Sequence, residues 1–290
     1  MPACLEIACF SPKALLVAAR AGAQRLEYCA SYAEGGITPV LGTLSPIRRL
    51  IHCPVRVMIR CRPGGFVFTS GEIMEMRHQL RRWADEGVDG WVGGCLTPDG
   101  MPDTGAMLSI AQSAPTLPFT FHRAFDRCLD PISALHQLKS LGCSQLLSSG
   151  NPAGGAAEGI DQLLLYLQQL NGDAPPRQGA DGLYQADADA HNQKDGLEKS
   201  TELARQSLRE IPQHTQTTRA TKTDVQENRQ SMRLMVGGGI RRANIKYLFE
   251  QLGGAVDYHS AAVTQAMRQS PSTEPQIDPE EINILLNILK

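Results

Sequence analysis

The 290-residue chain sets 28 lysines and arginines against 30 aspartates and glutamates, for a formal net charge of −2. That balance excludes the broad basic field that holds nucleic acid or an acidic membrane surface. Eight cysteines at 4, 9, 29, 53, 61, 95, 128 and 143 include no C-x-x-C pair, so zinc-knuckle and thioredoxin-type motifs are excluded and the thiols read as reduced and cytosolic.

Short strand-like runs alternate with helix-like ones in chain order. Strands are expected at 4–9, 25–29, 55–60, 88–93, 117–122, 145–149, 233–237 and 255–260. After the first, SPKALLVAARAG offers Ser11 as N-cap, Pro12 at the first helical position and Gly22 as stop. SGEIMEMRHQLRRWADEG carries Ile73, Met76, Leu80 and Trp83 on one stripe and ends at Gly87. DPISALHQLKSLG repeats the plan with Asp130, Pro131 and Gly142. DPEEINILLNILK, with Asp278 as cap, reads as a displaced terminal helix.

Eight β-then-α units predict an α/β fold, a TIM-type (β/α)8 barrel. An open doubly wound sheet is disfavoured, because no G-x-G-x-x-G follows the first strand. The whole chain, 1–290, reads as one barrel domain interrupted at 172–231 by a polar, flexible insert between the sixth helix and the seventh strand. Within it, a helix is expected near Leu197, Ala204, Leu208 and Ile211, and His191 and His214 read as solvated. The longest apolar run, Ala14 to Ala19, is far below a membrane span, and Glu6 interrupts an N-terminus without a basic region. A soluble, cytoplasmic protein is expected.

Strand parity sorts side chains between the barrel interior and the surface under the helices. It sends Leu5, Ile7, Leu26, Tyr28, Val55, Val57, Phe119 and Phe121 outward. Glu6, Glu27, Cys29, Met58, Arg60, Thr120, His122 and His259 point in. Ionisable groups from separate strands then meet at one barrel end, the arrangement of a site for something small and polar. A structural plug, with Glu6 and Glu27 paired to Arg60, is the competing reading. Glycine-rich returns at the same rim suit an anion: Ser149-Gly150 after strand six and Gly237-Gly238 after strand seven. HRAFDR brings His122, Arg123 and Asp126 to that rim, with Arg123 and Asp126 able to pin the loop instead. In an enzyme acting on a small anionic or phosphorylated metabolite, Glu6 or Glu27 would serve as base, His122 as acid and Asp126 as its orienting carboxylate. Arg60, Arg123, Ser149, Gly150, Gly237, Gly238 and His259 would hold the ligand. Cysteine spacing by itself supplies no metal motif.

The segments LEIACFSPKALLVAARAGAQRLEYCASYAEGGITPVLG, VRVMIRCRPGGFVFT, LTPDGMPD, FTFHRAFDRCLDP, LLSSG and MVGGGIRRANI together resemble the CutC copper homeostasis family. They follow the family order across most of residues 4–263 outside the insert. The resemblance implies a TIM-type barrel, a homo-oligomer and copper(I) bound through Cys9 and Cys29. The chain departs from the family pattern at Cys61, at Gly93-Gly94-Cys95, at Ser148-Ser149-Gly150, at Tyr258 and at Ala261-Ala262-Val263, where an arginine is usual.

Overall fold

The computed structural model describes residues 2–172, 232–264 and 276–290. Eight strands pair in parallel, each with its sequence neighbour, and the last pairs with the first. They are β1 (Leu5–Cys9), β2 (Arg25–Tyr28), β3 (Val55–Met58), β4 (Gly90–Gly93), β5 (Phe119–Phe121), β6 (Gln145–Ser148), β7 (Arg233–Val236) and β8 (Asp257–Ser260). The closed eight-stranded barrel with outer helices is the TIM-type fold.

Local chemistry accounts for the helices around it. α1 (Pro12–Arg20) starts where the Ser11 hydroxyl accepts the Ala14 amide at 3.2 Å. α2 (Ser70–Asp85) opens on a reciprocal capping box between Thr69 and Glu72, and buries Met76, Leu80 and Trp83. α3 (Thr104–Ala111) is capped by Asp103 and follows β4. α4 (Pro131–Leu141) is capped by Asp130 and stopped by Gly142 at φ +85°. α5 (Ile160–Asn171) follows β6, and α6 (Ile245–Leu252) follows β7.

The terminal helix, α7 (Pro279–Ile288), is displaced in sequence but packs on α6 and α1, where an eighth outer helix belongs. One expected unit is absent. Between β2 and β3 the described chain forms two 3-10 turns, Tyr32–Glu34 and Arg48–Leu50, and no α-helix. Pro39, Pro46 and positive-φ glycines at 35, 36 and 42 break any helical run there. The region 173–231, with the expected helix around Leu197–Ile211 and with His191 and His214, lies outside the described residues. It separates α5 from β7, as expected.

The main apolar core lies between strands and helices, with Leu5, Ile7, Leu26, Val57, Trp91, Phe121, Leu146 and Tyr258 each at 1% exposure or less. Inside the barrel the apolar cluster is small: Cys29, Met58 and Val92, with Phe10 against them. Below that cluster the interior is charged. Arg25 pairs with Glu6 and reaches Asp257 at 3.4 Å, and Arg233 meets Asp257 at 2.7 Å. Arg56 donates to Gln145 at 2.8 Å and to Thr120. Each polar group in this layer finds a partner, as burial requires. Glu6 thus pairs with Arg25 and not, as the plug reading has it, with Arg60.

Candidate functional site

Above the charged layer, the C-terminal strand ends open into a cavity of about 300 Å3. Glu27, Cys29, Arg60, His122 and His259, from four strands or strand ends, all line it. Parity on short parallel strands accounts for this convergence. Glu6 stands one layer lower and reaches the cavity only through His259, whose Nδ1 lies 2.8 Å from its carboxylate. Thr120 belongs to the lower layer with Arg56.

Glu27 is 3% exposed. Its Oε2 accepts the Cys29 thiol at 3.2 Å and lies 3.7 Å from His259 Nε2. Its Oε1 is buried and has no hydrogen-bond partner among the described residues. Burial pushes the Glu27 carboxyl above its usual range; His259 opposes this and Glu6 adds to it. Burial alone would raise Glu6 as well, but Arg25 and His259 outweigh it and hold Glu6 well below the carboxylate range. His259 is held above its ordinary value because Glu27 and Glu6 overcome the opposing effect of burial.

His122 comes off the end of β5 and tucks its ring over Gly94. A Cβ at Gly94 would lie 2.5 Å from His122 Nδ1, so only glycine admits the ring. His122 Nδ1 accepts the Ala124 amide at 3.2 Å, which leaves Nε2 as the protonated nitrogen. Burial, helped by Arg60, pushes His122 down to about 3. The ring is therefore a neutral donor at ordinary pH and not the imidazolium acid expected from sequence. Its Nε2 is buried without a partner among the described residues.

Arg60 donates Nη1 to the carbonyls of Glu34 and Gly36, both at 3.0 Å, and Nη2 to the carbonyl of Gly64 at 2.7 Å. Its guanidinium stacks 5.0 Å over the Phe66 ring. Burial and the nearby Arg62 lower its pKa. Arg60 Nε is buried and unpartnered among the described residues.

The loop residues divide between cavity and scaffold. Arg123 lines the cavity but is held by Asp126 at 2.8 Å and by Ser149 at 2.9 Å. Asp126 also accepts the Ser148 hydroxyl at 2.5 Å and the amide and hydroxyl of Ser149 at 3.2 and 2.9 Å. It pins two loops and makes no wall of the cavity, so the structure does not bring it to His122 as an orienting group. Ser149 and Gly150 sit in that pinned scaffold, and Gly237 packs on Leu147 and His259. Gly238 does reach the cavity, beside Gly239 and Arg241. Arg241, unnamed in the sequence reading, donates to Ser260 Oγ at 2.8 Å.

Two metal arrangements can be compared. Cys9 shares the parity of Leu5 and Ile7 and packs in the outer core, its thiol toward the Ile7 carbonyl at 3.6 Å. Cys29 belongs to the interior cluster, so the two thiols fall on opposite faces of the barrel wall. Burial pushes both thiols well above their ordinary value. Cys29 instead neighbours Met58; a Cβ on Gly36 would be 3.4 Å from Cys29 Sγ and 3.6 Å from Met58 Cε. A harder donor set, Glu6, Glu27 and His259, brings its ligand atoms within 4.8 Å of one another. Glu6, however, already spends its oxygens on Arg25 and His259.

A profile described as the CutC family matches residues 3–175. A family protein CutC from Salmonella schwarzengrund is 44% identical over 173 residues, 60% of this chain and 68% of the relative. Its counterpart from Salmonella typhimurium is 43% identical over the same shares. The crystal structure of CutC from Streptococcus agalactiae, named a copper homeostasis protein, superposes with a TM-score of 0.65 at 24% identity. It covers 90% of this chain and 99% of that one, and speaks for the barrel fold. No helix among the described residues is long and apolar enough to cross a membrane. With the profile spanning β1 to α5, and so the strands that deliver Glu27, Arg60 and His122, the chain belongs to the CutC family.

Proposed function

We propose that the barrel mouth binds a small polar metabolite carrying an anionic group, and that the protein acts on it as an enzyme in the reducing cytosol. One observation carries this reading. Glu27, Arg60 and His122 line one cavity, and each keeps a buried polar atom (Oε1, Nε and Nε2) without a partner among the described residues. Leaving such groups unsatisfied costs about 1–3 kcal/mol each, a cost that a ligand matching them recovers. Two of the three are donors, and the Arg60 guanidinium spends its described hydrogen bonds on carbonyls, with no carboxylate among them, which favours a ligand rich in acceptors and negatively charged. All eight cysteines are free, in keeping with a reducing compartment.

A metabolite library screened by thermal shift tests the reading. A hit that stabilises the wild type should lose its effect in His122→Asn and in Arg60→Lys. A library with no compound dependent on either residue removes the proposal.

A second reading is copper(I) binding, suggested by the name of the Streptococcus agalactiae relative. The residues fit a soft monovalent ion at Cys29 and Met58, which meet at the cavity wall, and not at a Cys9–Cys29 pair. Anaerobic copper(I) titration of wild type, Cys29→Ser and Cys9→Ser separates the cases: this reading expects weakening only in Cys29→Ser. Equal affinity in all three removes it. The self-association implied by the family resemblance is checked by light scattering on the full chain.

A further inference from the structure

Resting on the metabolite-binding reading above, we infer that the cavity activates a carbon–hydrogen bond next to a carbonyl group, with Glu27 as the proton acceptor and His122 and Arg60 as donors to the developing enolate oxygen. Three features of the cavity single out this chemistry.

Glu27 is the one carboxylate among the described residues that both lines the cavity and keeps a buried oxygen free. Its other oxygen is fixed by the Cys29 thiol at 3.2 Å, so the carboxylate is held in place at the cavity wall. A carboxylate removed from bulk water in this way is a stronger base than an exposed one.

The two free donors are of the kind an enolate needs. His122 is locked in the Nε2–H tautomer by the Ala124 amide. A neutral imidazole offers a hydrogen bond to an oxyanion without first protonating the base beside it, an arrangement known from other barrel enzymes. Arg60 Nε–H adds a charged donor, with three of the other four N–H groups of the guanidinium tied to loop carbonyls so that the group is preorganised.

Other reaction types use this set poorly. Nucleophilic attack by Cys29 is opposed because its thiol proton already rests on Glu27 and burial disfavours the thiolate. Expelling a leaving group calls for a proton donor, whereas His122 would have to become an imidazolate to supply one.

The step balances without a co-reactant. The Glu27 carboxylate takes the α-proton as the C–H pair becomes the new C=C bond, and the carbonyl π pair moves onto oxygen to give the enolate. Return of a proton from the Glu27 carboxyl to that carbon restores the ketone or aldehyde and the carboxylate. Glu6 is a positioning residue here: it orients His259, whose Nε2 stands 3.7 Å from Glu27. The anionic tail of the substrate, phosphate or carboxylate, faces Arg123, Arg241 and the Gly238–Gly239 turn at the rim.

The test is proton exchange in D2O followed by NMR, run alongside thermal shift on the same compounds. The panel is dihydroxyacetone phosphate, glyceraldehyde 3-phosphate and ribose 5-phosphate, with hydroxypyruvate and glucuronate as carboxylate counterparts. The inference expects at least one compound both to stabilise the protein and to take up deuterium α to its carbonyl. Exchange should fall by about 10²-fold or more in Glu27→Gln purified identically, with binding retained. If that variant does not fold, Glu27→Asp, which retracts the carboxylate by one methylene, carries the same expectation. Binding without deuterium uptake, or uptake equal in the Glu27 variants, overturns this inference and leaves the binding reading standing. A panel in which nothing stabilises the protein overturns both.

Discussion

Substituting Gly94 by alanine tests how the His122 ring is held. The added methyl would lie 2.5 and 2.6 Å from two ring atoms of His122 and 3.2 Å from the Ala124 methyl. Strand β4 cannot retreat, because the neighbouring Gly93 carbonyl accepts the His122 amide at 3.0 Å. The ring must swing away and give up the Ala124 amide. Overpacking costs about 1–3 kcal/mol, and a lost hydrogen bond adds about 1 kcal/mol, so the variant should lose about 2–4 kcal/mol. At the size of this barrel that corresponds to a melting shift of about 5–15 °C. Urea denaturation of wild type, Gly94→Ala, His122→Ala and the double variant closes a cycle. Removing the ring relieves the clash, so the two substitutions should be coupled by about 1 kcal/mol or more in the compensating direction. Additive effects, or a Gly94→Ala protein as stable as wild type, would refute the packing argument.

Glu27→Gln should raise the melting temperature at neutral pH. A carboxyl raised by burial above its unfolded value of 4.5 contributes most at low pH and loses that contribution as pH rises through the folded value. The advantage of glutamine should vanish below about pH 4.5, and a variant no more stable than wild type at pH 7 contradicts the assignment. Glu6→Gln acts oppositely: it takes from Arg25 its nearest carboxylate, leaving the longer contact to Asp257, and should cost about 3 kcal/mol in urea unfolding at pH 7. Because Glu6 is depressed in the folded state, its stabilisation is present above 4.5 and lost as pH falls, so the penalty should shrink in acid. Asp126→Asn removes the charge paired with Arg123 and turns one of the two oxygens shared by Arg123, Ser148 and Ser149 into a donor amide, and should lower stability by about 2–3 kcal/mol. Faster hydrogen exchange at the Ser149 amide checks the loop role, and unchanged protection there would dismiss it. In native maleimide labelling, the partly exposed Cys4, Cys53 and Cys61 should react before the buried Cys9 and Cys29.

The barrel and much of its mouth were legible because a period of two survives even in four-residue strands. Leu26 against Glu27, and Val57 against Met58, are enough to define in and out. The same alternation marks Arg25, Arg56 and Asp257 as inward, yet their meaning depends on one another: they saturate a closed layer, and mutual pairing leaves no signal in any single strand. Cys9 shows the opposite difficulty. It is adjacent to Cys29 across a strand pair, but its parity with Ile7 turns its thiol to the other side of the wall. Asp126 was read as a catalyst, whereas its bonds go to Arg123, to the hydroxyls of Ser148 and Ser149 and to the Ser149 amide. Arg60, read as ligand-binding, gives its Nη atoms to loop carbonyls and keeps Nε without a partner among the described residues. Backbone carbonyls accept a guanidinium whatever side chains surround them, so no residue pattern announced the arrangement. The missing helix between β2 and β3 was hidden by the regular rhythm on either side, although its prolines and glycines were in plain view.

The clamp made by Arg60 has a consequence for how this surface can change over time. One guanidinium fastens the turn at Glu34–Gly36 to the turn at Gly64, so neither turn is free to lengthen or drift by itself. An insertion in either turn would leave a charged N–H of Arg60 without its carbonyl, and a compensating acceptor would have to arise at once. Variation among relatives should therefore strike both turns together or spare both, and a binder that tugs on Arg60 Nε would move them as one piece.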